Sequence, residues 1–193
     1  LDELKEKDVS LVITVDCGTR DIEAIKHGKE LGIDVIITDH HAVPEIIPEE
    51  AVGIVNPKRK DSLYPFPMLA WAGVAFKVVH AILLKIIPDQ DEIYRILTRY
   101  IDFASLGTVA DCMPLTWENR IITALGLKQM RLSDSAGLRK FVEWQDVDEW
   151  NADIIGFQIG PRINASGRMD TPITALKWLL ASDEKSDEYL REI

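Results

Sequence analysis

One stretch of the sequence decides the fold: residues 11–41, LVITVDCGTRDIEAIKHGKELGIDVIITDHH. It contains two short apolar runs rich in β-branched residues, Leu11–Val15 and Val35–Thr38, which are typical of buried strands. The segment between them, Arg20–Leu31, has helical character and ends at Gly32. A strand, a helix and a second strand predict two parallel neighbouring strands joined by a right-handed crossover. The predicted fold class is therefore α/β with a parallel sheet.

Residues able to bind a metal follow each apolar run. Asp16 follows the first run, and the triplet DHH at positions 39–41 follows the second. Asp111 ends a third run, Leu106–Ala110, which we also predict to be a strand. Open α/β folds bind ligands beyond the carboxyl ends of their strands. Carboxylates combined with imidazoles favour a divalent transition metal such as Mn²⁺ over a structural zinc.

Each of these residues also has a purely structural interpretation. Asp16 stands where a helix N-cap is common, and a single histidine is more often structural than catalytic. Asp111 precedes Cys112-Met113-Pro114, so a loop-forming aspartate is an ordinary alternative. Three such positions at the ends of three apolar runs are much harder to explain in this way than any one of them. The joint pattern therefore favours a site.

The second half of the chain has a helical period. We predict a helix over Leu69–Ile87 that is apolar nearly all round and hence buried. A further helix is predicted over Asp91–Phe103, with one apolar face. The segment Trp117–Arg131 is predicted as a helix that turns inward its apolar residues Ile121, Ile122, Leu125 and Leu127.

Six segments match one family in order along nearly the whole chain. They are VITVDCG (12–18), ITDHH (37–41), NPK (56–58), LAWAGVAFK (69–77), GTVADCMPL (107–115) and IGPRINASGRM (159–169). In these segments the chain resembles the DHH phosphoesterases and, within them, the RecJ-type single-stranded-DNA exonucleases. The tripeptide DHH alone is a weak signal, whereas GTVAD and GPRINASGRM are specific to the RecJ type.

The resemblance implies a parallel-sheet DHH phosphoesterase domain with a large helical portion. Residues 1–57 are expected to form its sheet and helix part, 58–158 a mainly helical part, and 159–193 the GPRINASGRM loop and the start of a connecting helix. An aspartate-rich motif is expected before Leu1 and a DHH-associated domain after Ile193. We therefore expect the chain to be a segment of a larger protein and to be inactive alone.

By the same resemblance, the site performs two-metal hydrolysis of a phosphodiester with Mn²⁺ or Mg²⁺. Asp16 is implied to bridge the two ions, with His40 and Asp111 as further ligands of one of them. His41 is implied to face the scissile phosphate. Asp39 is implied to orient a histidine, because metal-bound imidazoles usually donate their other nitrogen to a carboxylate.

Four polar residues in GPRINASGRM are candidates for binding substrate phosphate: Arg162, Asn164, Ser166 and Arg168. Glycines at positions 160 and 167 permit close backbone approach, and guanidinium groups bind phosphate in a bidentate manner. From the residues alone, a Gly/Pro turn with surface arginines is the simpler interpretation. With the resemblance, contact with a phosphate backbone is favoured.

Composition restricts the protein's class more than its substrate. The chain has 193 residues, a net charge of −10 and two cysteines, which fits a soluble cytoplasmic protein. Its longest apolar stretch, Val78–Ile87, is interrupted by His80 and Lys85, so no membrane span is expected. The negative charge leaves nucleic acid open as a partner, because cations bound in a cleft neutralise its carboxylates.

The function implied is a 5′-to-3′ exonuclease specific for single-stranded DNA, acting in repair and recombination. Single-stranded DNA is the expected partner, and other replication or repair proteins are left open. One alternative is a DHH phosphoesterase for short oligonucleotides or cyclic dinucleotides, and another is a non-catalytic scaffold for replication proteins. The intact Asp16, His40, His41 and Asp111 disfavour the scaffold, which has no need of metal ligands.

Overall fold

The structure, a computed structural model, describes residues 1–145, 150–169 and 171–192. Its strands are β1 (Leu11–Val15), β2 (Asp34–Thr38) and β3 (Gly53–Val55). Its helices are α1 (Asp2–Glu6), α2 (Ile22–Glu30), α3 (Trp71–Ile86), α4 (Gln90–Ala110), α5 (Trp117–Met130), α6 (Ala136–Gln145), α7 (Ala152–Ile154), α8 (Gly160–Met169), α9 (Pro172–Leu179) and α10 (Asp183–Glu192), with a π-helical segment (Ile155–Ile159) before α8. The chain divides into two compact units, Leu1–Val79 and His80–Ile193. The boundaries at 57 and 158 stay predictions.

The first unit contains a parallel sheet in the order β1-β2-β3. Leu11 pairs with Asp34 at one end of the β1–β2 ladder, and Val15 pairs with Thr38 at the other. Because the two ladders are parallel, the carboxyl ends of β1 and β2 meet at one edge. This arrangement confirms the predicted strand–helix–strand unit and the α/β class.

The strands of this sheet differ in burial. β2 is central, and its Val35 and Ile37 pack with Ile25 of α2 in the core of the unit. Alternate apolar side chains of β1 are 45–49% exposed, so the prediction that β1 is a buried strand is wrong. In the described part of the chain β1 pairs with β2 alone. An apolar run does not distinguish a central strand from an edge strand.

The segment Leu106–Ala110, predicted as a strand, is the last turn of α4. Its neighbours explain the error. The buried positions Ile93, Leu97, Ile101, Ala104 and Thr108 recur every three or four residues, which is the helical period. This packed face continues through the β-branched residues, and tertiary packing overrides their weak preference for a strand.

Helices α4 and α5 approach each other closely at Gly126. A Cβ atom at this position would lie 2.2 Å from Ser105 Cβ and 2.6 Å from the Ile101 carbonyl oxygen, so only glycine fits. Ile122 is buried as predicted, but Ile121 and Leu125 are 58% and 47% exposed, and their predicted inward orientation is wrong. The buried stripe of α5 is thus narrower than its apolar composition suggests.

The segment Gly160–Asp170, predicted as a loop, is helical over Gly160–Met169, while Asp170 lies outside the described residues. Pro161 falls in the first turn of α8, where a helix tolerates proline. Ile155 and Ile159 of the preceding π-helical segment are fully buried in the core of the second unit, beside Trp178. This packing holds the backbone helical despite the glycines and the proline.

Helix α3 confirms the predicted segment but not its burial. Ala72, Gly73 and Val74 are buried in its first turn. Ile82 and Ile86 further along are 50% and 67% exposed, so the expectation of burial all round is wrong for this half. No helix in the described ranges combines the length and the apolar character needed to cross a membrane.

Candidate metal centre

Asp16 leaves the sheet at the end of β1 with an unusual backbone conformation. Its φ is 67°, in the left-handed region that aspartate tolerates better than most residues. Its N–H still donates to the Thr38 carbonyl at 2.9 Å, which extends the β1–β2 ladder by one bond. Gly18 follows at φ 109°, where an added Cβ would lie 2.9 Å from Thr14 Oγ1. The turn after β1 therefore requires glycine and fixes the direction in which Asp16 points.

Asp16, His40 and His41 form a cluster at the carboxyl edge of β1 and β2. Asp16 Oδ1 lies 3.2 Å from His40 Nε2 and 3.7 Å from His41 Nδ1. One donor atom from each residue lies within 4.8 Å of the other two. His40 is buried, whereas the His41 side chain is 56% exposed. The Asp16 carboxylate and the His40 imidazole at this spacing fit a divalent transition metal, with the exposed His41 ring beside them.

Asp39 supports both histidines from inside the protein. Its Oδ1 accepts the backbone N–H of His40 at 2.8 Å and of His41 at 3.1 Å, and lies 2.8 Å from His41 Nδ1. Its Oδ2 accepts the N–H of Thr19 at 3.3 Å. Burial alone would raise the pKa of Asp39, but the hydrogen bonds from Thr19, His41 and His40 hold this pKa well below its usual range. The buried carboxylate is therefore ionised at neutral pH.

Asn56 and Thr19 complete this network, and the sequence did not assign them a role. Asn56 Nδ2 donates to the His41 carbonyl at 3.0 Å and to Thr19 Oγ1 at 3.4 Å. Asn56 Oδ1 accepts the N–H of Lys58 at 2.9 Å. Both residues are at least 95% buried. The only signal in the sequence was the NPK segment at 56–58, which shares the family pattern.

Asp111 belongs to the second unit, where it is the C-cap residue of α4. It follows a helix and not the predicted strand, although it does stand at the end of an element. The start of α8 lies beside it, because a Cβ at Gly160 would be 3.5 Å from Ala110 Cβ. The second unit thus brings the carboxyl end of α4 together with the GPRINASGRM segment. The role of Asp111 as a metal ligand stays a prediction.

The four predicted phosphate-binding residues lie in α8 and have different surroundings. The Arg162 guanidinium lies 5.2 Å from the centre of the Trp144 ring and 5.7 Å from that of Phe141. Asn164 is exposed. Ser166 is buried, and its hydroxyl donates to the Ile163 carbonyl at 2.9 Å.

The side chain of Arg168 lies outside the described residues. The roles of all four residues toward phosphate stay predictions.

Comparison with curated proteins finds related chains along nearly the whole sequence. The chain is 40% identical over 193 residues to the single-stranded-DNA-specific exonuclease RecJ of Bacillus subtilis (strain 168), covering 98% of this chain and 23% of that protein. It is 35% identical over 192 residues to the Escherichia coli (strain K12) protein of the same name, covering 95% of this chain and 33% of that protein. The chain thus spans about a quarter to a third of these relatives.

Solved structures give the same result for the fold. A crystal structure of exonuclease RecJ bound to manganese matches with a TM-score of 0.82 and 30% identity, covering 100% of this chain and 48% of that one. RecJ from Thermus thermophilus in complex with Mn²⁺ matches with a TM-score of 0.82 and 29% identity, covering 98% of this chain and 28% of that one. These matches confirm the resemblance drawn from the motifs.

The family model described as "DHH family, N-terminal domain" matches residues 2–108, which include the whole cluster of Asp16, His40 and His41. Such a match covers more than half of the chain. The chain belongs to the DHH family.

Proposed function

We propose that the protein carrying this chain is a metal-dependent exonuclease that hydrolyses single-stranded DNA from its 5′ end. The observation that carries the proposal is the cluster of Asp16, His40 and His41 at the sheet edge, in a chain similar over 98% of its length to a single-stranded-DNA-specific exonuclease. We place the protein in the cytoplasm, in DNA repair and recombination, with single-stranded DNA as its main partner.

Asp16, His40 and Asp111 are the residues that would hold Mn²⁺ or Mg²⁺, with Asp16 shared between two ions. Such ions, when bound, polarise the phosphate and make a water nucleophilic at neutral pH. The donor chemistry supports Asp16 and His40 as ligands, since they present an oxygen and a nitrogen 3.2 Å apart. Solved structures of similar RecJ chains contain Mn²⁺ or Mg²⁺.

His41 is proposed to act on the scissile phosphate through Nε2. Because Asp39 is ionised and accepts only, the His41 Nδ1 nitrogen must carry the proton in the 2.8 Å hydrogen bond between them. Nε2 is then the nitrogen that meets the substrate, and it donates a hydrogen bond when the ring is an imidazolium. More than half of the His41 side chain is exposed, so a phosphate oxygen or a leaving oxygen can approach it.

In the second unit, Arg162, Asn164 and Arg168 are proposed to bind the phosphate backbone, with Ser166 supporting the helix that carries them. The Arg162 guanidinium lies over the rings of Trp144 and Phe141, within reach of a cation–π interaction with each. A guanidinium placed over aromatic rings can still offer its N–H groups to phosphate in a bidentate manner.

The proposal is tested by end-specific degradation. The intact protein is incubated with Mn²⁺ and single strands of about twenty nucleotides labelled at either end, a duplex of the same sequence, a dinucleotide and a cyclic dinucleotide. We expect mononucleotides to appear first from the 5′ end of the single strand, with no reaction in EDTA or in the Asp16→Asn variant. Preferential hydrolysis of the dinucleotide or the cyclic dinucleotide would show that a short substrate, and not a DNA strand, is the preferred one. Hydrolysis without metal would contradict the proposed mechanism.

A further inference from the structure

A cavity of about 380 Å³ opens in the first unit, between the end of β3, the loop after it and the first half of α3. Its volume lies within the range of small-molecule sites. It is separate from the cluster of Asp16, His40 and His41, because none of these three residues lines it. The residues of its own wall therefore determine which ligand it can bind.

The polar side of the cavity carries more positive than negative charge. Arg59 and Lys77 line it as cations, and Asp61 is the one carboxylate among the lining residues. Arg59 is held in place, since Nη1 donates to the Ile54 carbonyl at 3.1 Å while Nε and Nη2 donate to Asp61 at 2.9 and 2.6 Å. Among the described residues these bonds use three of its five N–H groups, so two remain for a ligand. A fixed guanidinium and an ammonium in the wall of one cavity favour a phosphate as ligand.

The other side of the cavity is apolar and includes an aromatic ring. Tyr64 lines the cavity together with Leu69 and Val74. Leu69 and Val74 are buried, so they provide a firm apolar surface. An aromatic residue and cations in the wall of one cavity are the combination that binds nucleotides, because every base has a face that stacks on a ring.

The cavity shares one wall residue with the hydrogen-bond network of the metal centre. Asn56 lines the cavity, and its Nδ2 donates to the His41 carbonyl at 3.0 Å. A ligand in the cavity would thus lie one side chain away from the backbone of a catalytic residue. This connection favours a ligand that belongs to the reaction over an unrelated metabolite.

We propose that this cavity binds one nucleoside 5′-phosphate unit, with the phosphate at Arg59 and Lys77 and the base at Tyr64. The inference rests on the proposed function, because such units are both the building block of the strand and the product of its stepwise hydrolysis. The same chemistry serves a nucleotide of the strand and a released mononucleotide.

The test is calorimetric binding to the intact protein in EDTA, so that hydrolysis and metal binding do not contribute. The probes are 2′-deoxyadenosine 5′-monophosphate, deoxyadenosine, inorganic phosphate and a strand of four deoxyadenylates. We expect Lys77→Gln to weaken binding of the monophosphate and of inorganic phosphate. The control is Lys85→Gln, which alters an exposed lysine on the same helix outside the cavity and should leave both affinities unchanged. Tyr64→Leu should lower the affinity for the monophosphate and for deoxyadenosine by roughly fivefold to one-hundredfold, and Tyr64→Phe should keep both affinities near those of the wild type.

Competition separates the two sources of the ligand. If the four-nucleotide strand displaces the monophosphate, the cavity takes a unit of the strand, and if it does not, the cavity takes the released product. Absence of monophosphate binding in EDTA would overturn the inference, as would equal binding by wild type, Lys77→Gln and Tyr64→Leu, each with an unchanged melting temperature. If the protein degrades single strands but fails this binding test, only the proposed nucleotide site in the cavity is contradicted. If it binds the monophosphate but does not hydrolyse strands, only the proposed exonuclease activity is contradicted.

Discussion

Asp39 Oδ1 and His41 Nδ1 lie 2.8 Å apart, and the same oxygen accepts both backbone N–H groups that follow it. One buried carboxylate therefore fixes the ring of His41 and the backbone of His40 together. The family triplet is thus a unit in which the aspartate orients and the histidines are displayed. Its first residue is 2% exposed, so it acts through its neighbours.

Replacing this carboxylate tests that division of roles. Asp39→Asn keeps the size of the side chain but removes the charge that sets the proton on His41 Nδ1. We expect activity or metal affinity to fall by about 10–100-fold, the usual loss when an orienting partner is removed. The measurement is turnover on a single strand together with Mn²⁺ titration. Asp34→Asn, an exposed aspartate at the start of β2, is the control and should change neither quantity.

His41→Ala should lower turnover by about 10²–10⁴-fold, because it removes a hydrogen-bond donor to the phosphate or the leaving oxygen. Mn²⁺ affinity should change little, since Asp16 and His40 keep their ligand atoms. His27, whose half-exposed side chain pairs with Asp2 at 3.0 Å, gives the control variant His27→Ala. Wild-type turnover in His41→Ala would exclude this residue from the mechanism.

Gly18→Ala should destabilise the protein by about 1–3 kcal/mol, because alanine is strained at φ 109° and its Cβ would press on Thr14 and Ile37. Gly53→Ala is the matched control, since no atom lies within 4 Å of a Cβ built there. The free energy of unfolding in urea measures both changes. Equal stability of the two variants would show that the turn after β1 adapts to a side chain.

Asp102 in α4 is fully buried, and one of its carboxyl oxygens has no hydrogen-bond partner among the described residues. Burial raises the pKa of this carboxyl above its ordinary value of 3.8, against the hydrogen bond from Ser133. The native state therefore holds the proton to higher pH than the unfolded chain does. The contribution of the protonated Asp102 carboxyl to the free energy of unfolding is fully present below the ordinary pKa. It is lost as the pH rises through the raised pKa.

Asp102→Asn should remove this loss of stability at neutral pH, because the asparagine side chain cannot ionise. We expect the melting temperature at about pH 7 to rise and this gain to vanish near pH 3, where the wild-type carboxyl is protonated in both states. The exposed Asp34→Asn should show no such pH-dependent gain. A lower melting temperature for Asp102→Asn at neutral pH would mean that the native state needs the ionised carboxylate.

Arg162→Gln should weaken binding of single strands of every sequence. The slope of log affinity against log salt should become shallower by about 0.7 for each phosphate that the protein no longer binds. Binding of strands of two to about twenty nucleotides across a salt series measures both effects. Arg131→Gln, an exposed arginine after α5, is the control. Unchanged binding by Arg162→Gln would limit Arg162 to its packing on Trp144 and Phe141.

The core of the site was predictable from the sequence because its parts are local. Two apolar runs around one helix imply a parallel pair, and residues at the ends of such runs must meet at one edge. Asp16 and His40 meet there, 3.2 Å apart. Asn56 and Thr19 could not be predicted in this way, since they are 37 residues apart and interact only after folding.

The errors have a common physical origin in packing. GTVA at 107–110 has the composition of a strand, and GPRINASGRM has the glycines and proline of a loop, yet both segments are helical. In each case a buried face that begins several residues earlier extends the helix through unfavourable residues. The exposure of alternate residues in β1 could not be predicted either, because an edge strand and a central strand can share the same apolar run.

The π-helical segment Ile155–Ile159 gives the chain an extra residue in a hydrogen-bonded turn. Each residue of an α-helix advances about 100° around the axis, so deleting one residue here would rotate α8 by about that angle relative to α7. Such a rotation would turn Arg162 away from Trp144 and Phe141. A one-residue deletion at this point would thus change which side chains α8 displays, even with every neighbouring residue unchanged.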